Sequence, residues 1–123
     1  MGIDVYLGWN GQSKDEEQAQ CTGFRIDAGN VGYLREAYHG GPYATRVLAP
    51  EAFEDGVRGG VPIAASVLRS RLAATIETAR DRSLRVYKEP LEAEAEKAFV
   101  DFVELAERKE RETGVPCRVT ASW

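Results

Sequence analysis

Apolar and polar residues alternate at both ends of the chain. In IDVYLGW, Ile3, Val5, Leu7 and Trp9 fall on one side and Asp4, Tyr6 and Gly8 on the other. In VPCRVTASW, Val115, Cys117, Val119, Ala121 and Trp123 alternate with Arg118, Thr120 and Ser122. Period two with one apolar face predicts strands of a sheet covered on one side. Chain ends with this pattern are usually tied into a sheet, so the first and last strands are expected in the same one. Two shorter runs read as further strands. TGFRID places Thr22, Phe24 and Ile26 together, and YATRVL spans 43–48.

The second half has a longer period. After a cap at Ser66, the residues Leu68, Leu72, Ile76, Ala79, Ser83 and Tyr87 return to one face, which predicts a helix over 66–88. Leu91, Ala95, Ala98, Phe99, Phe102, Val103 and Ala106 form the stripe of a second helix over 91–113. Pro90 suits its first turn, Gly114 stops it and Pro116 follows. The short link between the two predicts an antiparallel helical hairpin.

Punctuation marks the remaining elements. Asn10-Gly11 turns the chain, and Ser13-Lys14-Asp15-Glu16 is a capping-box pattern that opens a short helix over 14–20. Asn30 can cap a helix over 31–39, with Val31, Leu34, Ala37 and Tyr38 at helical spacing, His39 in the last turn, Gly40 at C′ and Pro42 beyond. Gly32 is a misfit there, at about 1 kcal/mol against alanine. Pro50 and EDGVRGG mark a turn-rich connection, partly helical at Glu51–Glu54. The expected fold is α+β in two layers: a sheet of about four strands with the hairpin on one face.

Charge sorts the two long helices. Residues 66–88 carry six basic and two acidic side chains, and residues 89–113 carry four basic and nine acidic ones. Opposite signs predict that they are neighbours, with Lys97–Asp101, Glu104–Arg108 and Glu107–Arg111 as i,i+4 pairs. The basic run Arg69, Arg71, Arg80, Arg82, Arg85 and Lys88 reads as the complement of the acidic helix beside it. The acids from Glu89 to Glu96 suit a helix start, so no metal is expected of them.

At 123 residues the chain is read as a single α+β domain, 1–123, large enough to fold without metal or disulfide. Its 43% hydrophobic and 29% charged residues are ordinary globular values. A net charge of −4 and a pI near 5.1 argue against nucleic acid and anionic membranes as partners. Asp4 arrives too early for a signal peptide, and no apolar run nears a membrane span of roughly 18 residues. Cys21 and Cys117 lie in no close-spaced motif and are expected as buried, reduced thiols. A cytoplasmic setting follows.

Several chemistries lack their residues. A single histidine cannot build zinc sites that need two, and no phosphate loop, dinucleotide fingerprint, nucleophile elbow or EF-hand spacing occurs. No cofactor or metal is therefore expected. The Gly40-Gly41 pair would close a helix at its negative end, which is the wrong end for a phosphate.

Tyr33, Tyr38, His39 and Tyr43 crowd into eleven residues, interleaved with Arg35, Glu36 and Arg46. Amphipathic rings and forked donors are the content of a recognition surface. The leading reading is a small non-catalytic binding or regulatory protein, such as an inhibitor, an immunity-like protein or an accessory subunit. Its surface would combine Tyr33, Arg35, Tyr38, His39, Tyr43 and Arg46 with Trp9, and its partner would be another protein or a small ligand. The alternative is a small cofactor-independent enzyme using His39 as base, Tyr38 as acid, and Arg35 and Glu36 beside them. A second alternative is a structural homodimer, and a third holds that the tyrosines only anchor the connection to the sheet.

Overall fold

The computed structural model describes residues 2–22, 31–54 and 59–123. In chain order they form β1 (Gly2–Gly8), α1 (Lys14–Thr22), β2 (Tyr33–Ala37), α2 (Ala44–Leu48), a 3-10 turn (Pro50–Phe53), β3 (Val61–Pro62), α3 (Ala65–Arg82), one π-helical turn (Ser83–Tyr87), α4 (Ala93–Thr113) and β4 (Arg118–Ser122). Every pairing in the sheet is antiparallel, in the order β2-β1-β4-β3. The first and last strands are central neighbours, with Asp4 opposite Ser122 and Gly8 opposite Arg118. The class is α+β, as the two alternating ends predict.

Alternation decides which side of the sheet is covered. Ile3, Val5 and Leu7 join Leu34, Cys117 and Val119 in one buried cluster. Leu68, Leu72 and Ala79 of α3 complete it with Phe99, Phe102, Val103 and Ala106 of α4. Burying each large apolar side chain contributes about 1.5–3 kcal/mol, so this layer contact drives folding. Asp4, Tyr6, Tyr33 and Arg35 alternate with these residues and occupy the opposite face. Val115 precedes β4 and is exposed, as is Trp123 just past its end.

The hairpin is held as the charges predict. Arg69 makes two hydrogen bonds to Glu107 and Arg80 two to Glu96, each pair running from α3 to α4. Lys97–Asp101 forms within α4. Other members of the basic run do not face the acidic helix. Arg71 forks onto Glu51 and also bonds the Leu48 carbonyl, while Arg85 pairs with Asp81.

Helix ends are set partly by distant residues. The capping box of α1 forms as expected, Ser13 N–H donating to Glu16 and Glu16 N–H to the Ser13 hydroxyl. At α3 the expected Ser66 cap does not form, because Ala64 is the N-cap residue. The Ala65 N–H donates instead to Glu110 of α4, at 3.1 Å. The α4 helix begins after Pro90, with Glu92 at its N-cap, and ends at Gly114, whose φ is +79°.

Two expected elements take the other form. The segment read as a helix over 31–39 contains strand β2, and YATRVL, read as a strand, contains helix α2. In YLREA the inward positions are Leu34 and Glu36, opposite Val5 and Ile3 of β1. A buried carboxylate at an inward position hides the period-two signal, leaving the helical spacing of Val31, Leu34, Ala37 and Tyr38 more conspicuous. His39 consequently ends no helix. Gly32, the helical misfit, has φ +81°, and its carbonyl accepts the Leu7 N–H at 2.8 Å at the start of the β1–β2 ladder. The α2 helix forms because Glu36 caps it across the loop. Of TGFRID, residues 23–27 lie outside the described residues, as does the Asn30 cap. Both thiols are free, but Cys21 is exposed and only Cys117 is buried.

Candidate functional site

The segment 33–46 is divided among four environments. Tyr33 and Arg35 stand on the sheet face opposite α3 and α4, where both donate to Asp4 Oδ1, at 2.5 and 2.7 Å, and Tyr33 is buried. Tyr6 lies against Tyr33 with ring centroids 5.2 Å apart. Burial, and then the Asp4 hydrogen bond, push the Tyr33 phenol up to about 12. Burial also raises Tyr6, with the Asp4 charge second.

Glu36 points the other way, into the helix layer. Its carboxylate accepts Ala44 N–H at 2.8 Å, Thr45 N–H at 3.0 Å and the Thr45 hydroxyl at 2.6 Å. Arg82, from the last turn of α3, reaches the same carboxylate at 3.4 Å. Both side chains are only 7% exposed. Arg82 also donates to the carbonyls of Gly40 and Ala37. It therefore ties the GGP loop, with its cis Gly41–Pro42 peptide, to the end of α3.

Around Arg82 stands a group of rings. Its guanidinium carbon lies 5.0 Å from the Tyr43 centroid and 5.8 Å from that of Tyr87. Tyr38 packs edge-on against Tyr43 at 5.6 Å. His39 is exposed, with Nδ1 2.8 Å from the Tyr87 hydroxyl. Tyr87 is 41% exposed and Leu84, on the same π turn, 57%. Beside this group a cleft of about 200 Å³ opens between β2 and the closed end of the hairpin. Glu36, Arg82, Ser83, Tyr87, Leu91 and Phe99 are among its walls.

The remaining expected residues lie elsewhere. Arg46 stacks over Phe53 at 4.5 Å and over Trp123 at 5.8 Å, a separate cation–aromatic group. Trp9 is 7% exposed, with Lys109 Nζ 5.1 Å from its ring, and takes no part in the 33–46 surface. The four groups assigned to an enzyme do not converge. Arg35 is engaged with Asp4, Glu36 is buried under four donors, and His39 meets Tyr87, not Tyr38.

The structure thus brings Tyr38, His39 and Tyr43 together and adds Arg82 and Tyr87, with Leu84 exposed on the same turn as Tyr87. The sequence pattern places Arg82 in the basic run that complements the acidic helix. Its spacing carries a usable signal: Leu68, Leu72, Thr75, Ala79 and Arg82 lie on the buried stripe of α3. An arginine on such a stripe requires a buried acceptor. No helix among the described residues is long and apolar enough to cross a membrane. Comparisons with protein-family models, curated proteins and solved structures find no match.

Proposed function

We propose that the chain is a small non-catalytic binding protein, of the inhibitor or accessory-subunit kind, that engages another protein at the closed end of its helical hairpin. The observation that carries this reading is the exposure of Leu84 and Tyr87 on the π turn, beside a cleft with a largely apolar wall. Tyr87 lines the cleft and Leu84 is exposed on the same turn, and large exposed apolar side chains next to a concavity are what a partner can bury. Arg82 holds the base of this surface through the Gly40 and Ala37 carbonyls, so little ordering is needed on binding. The polar groups nearby are engaged with one another, which favours recognition over turnover. A cytoplasmic setting is supported by Cys21 and Cys117 standing as free thiols.

Crosslinked capture from cell lysate tests the proposal, with wild type and the double variant Leu84→Ala/Tyr87→Ala as bait. Hot-spot residues are typically worth 2 kcal/mol or more, so capture should fall about tenfold or further while the unfolding midpoint barely moves. Lys14→Ala, far along the chain on α1, should capture as wild type does. Equal capture by the double variant, or no saturable partner for wild type, overturns the reading.

A further inference from the structure

The geometry points to a second, independent site: a small-molecule cleft between α1 and α4 that takes an apolar α-amino acid in its free, zwitterionic form. The cleft measures about 270 Å³ and lies toward the end of α4 remote from the π turn. This is below the roughly 300–1,000 Å³ of drug-sized sites, so its occupant is small. Trp9, Ala19, Val31 and Leu105 supply the apolar lining.

Four charged residues also line it: Asp15, Glu16, Arg108 and Lys109. Two are already engaged. Glu16 accepts the Ser13 N–H at 2.9 Å and lies 3.9 Å from Lys109, whose ammonium also reaches Glu112 at 3.1 Å. Lys109 stands over the Trp9 ring, with Nζ 5.1 Å from its centroid. Asp15 and Arg108 make no ion pair or side-chain hydrogen bond among the described residues. The expected Glu104–Arg108 pair is not formed there either, which leaves the guanidinium available.

One uncommitted charge of each sign beside an apolar wall defines the ligand. An ammonium would pair with Asp15, a carboxylate with Arg108, and an apolar side chain would lie against Trp9 and Leu105. A peptide terminus offers only one of the two charges, and a fatty acid lacks the ammonium. A free apolar amino acid has all three groups within a few bonds.

Trp9 emission tests this in a Trp123→Phe chain, where Trp9 is the remaining indole of the two. Trp123 is 48% exposed, so its replacement should fold, and calorimetry on the unaltered chain gives a second readout. The probes are L-leucine, N-acetyl-leucine and leucinamide, titrated into the millimolar range. Leucine should give a saturable change, with each blocked form binding about tenfold more weakly or worse, since each loses a charge-assisted hydrogen bond. Arg108→Gln should abolish the preference for leucine over leucinamide, and Asp15→Asn that over N-acetyl-leucine. No saturable response by either readout, or equal affinity for all three probes, overturns the site.

Discussion

Gly32 shows how much one residue can carry between two elements. Its φ of +81° is disfavoured for any side chain, and an added Cβ would lie 2.8 Å from Gln20 Nε2 and 2.9 Å from Leu7 Cβ. Gln20 is buried and donates to the Leu7, Val31 and Gly32 carbonyls, so the glutamine amide and the glycine share one crowded point between α1 and β2. Gly32→Ala should therefore destabilise the fold by about 2 kcal/mol or more, combining left-handed strain with overpacking. Urea denaturation checks this, and an unchanged midpoint would mean that the junction relaxes freely. In sequence the same glycine was visible only as a poor helix former. Helical spacing around it could not reveal that its backbone suits the start of a strand.

Among the elements, β2 and α2 depend on each other through Glu36. The strand supplies the carboxylate, and the carboxylate satisfies the first amides of a helix too short to stand alone. Arg82 of α3 then offsets its charge. Glu36→Ala would leave Ala44 N–H, Thr45 N–H and a buried guanidinium without their acceptor. The expected loss is about 3–5 kcal/mol, read by thermal or chemical unfolding. Glu36→Gln should lose less, because an amide oxygen still accepts. A loss below about 1 kcal/mol for alanine would show that water replaces the carboxylate. Neither element was legible from its own residues: YLREA has a charge where a strand wants an apolar residue, and the cap of ATRVL comes from outside the segment.

For the molecule as a whole, the protons held by buried acids shape stability at high pH. Burial lifts Cys117 from the usual 9.0 to about 11, and burial with the Asp4 bond lifts Tyr33 from 10.0 to about 12. Between these values the folded chain retains protons that the unfolded chain has lost. Stability is then present in full below pH 9 and falls as pH rises toward 12. Tyr33→Phe should remove the part of this decline that lies between pH 10 and 12, as measured by unfolding midpoints across that range. An identical alkaline profile in the variant would mean that Tyr33 ionises as freely in the fold as in the unfolded chain. The charge asymmetry of the hairpin acts at the same scale but more weakly. Arg69–Glu107 and Arg80–Glu96 are largely solvent-facing pairs, each worth roughly 0–1 kcal/mol, and their main effect is on which helices are neighbours.

Elements whose pattern repeats over many residues were legible from their own residues. The alternation of Ile3, Val5 and Leu7, the stripe from Ala95 to Ala106, and the stops at Gly114 and Pro116 report local periodicity and backbone preference. Such information needs no partner. Elements that depend on a residue far away in the chain took their form only in the folded molecule. Tertiary structure made 33–37 a strand by pairing it with β1, and it made 44–48 a helix by capping it with Glu36. It also separated Trp9, Tyr33 and Arg46 from His39, and brought Tyr87 to that histidine. The physical reason is that a buried charge or an end cap is stable only with its partner in place. Nothing in the neighbouring residues names that partner.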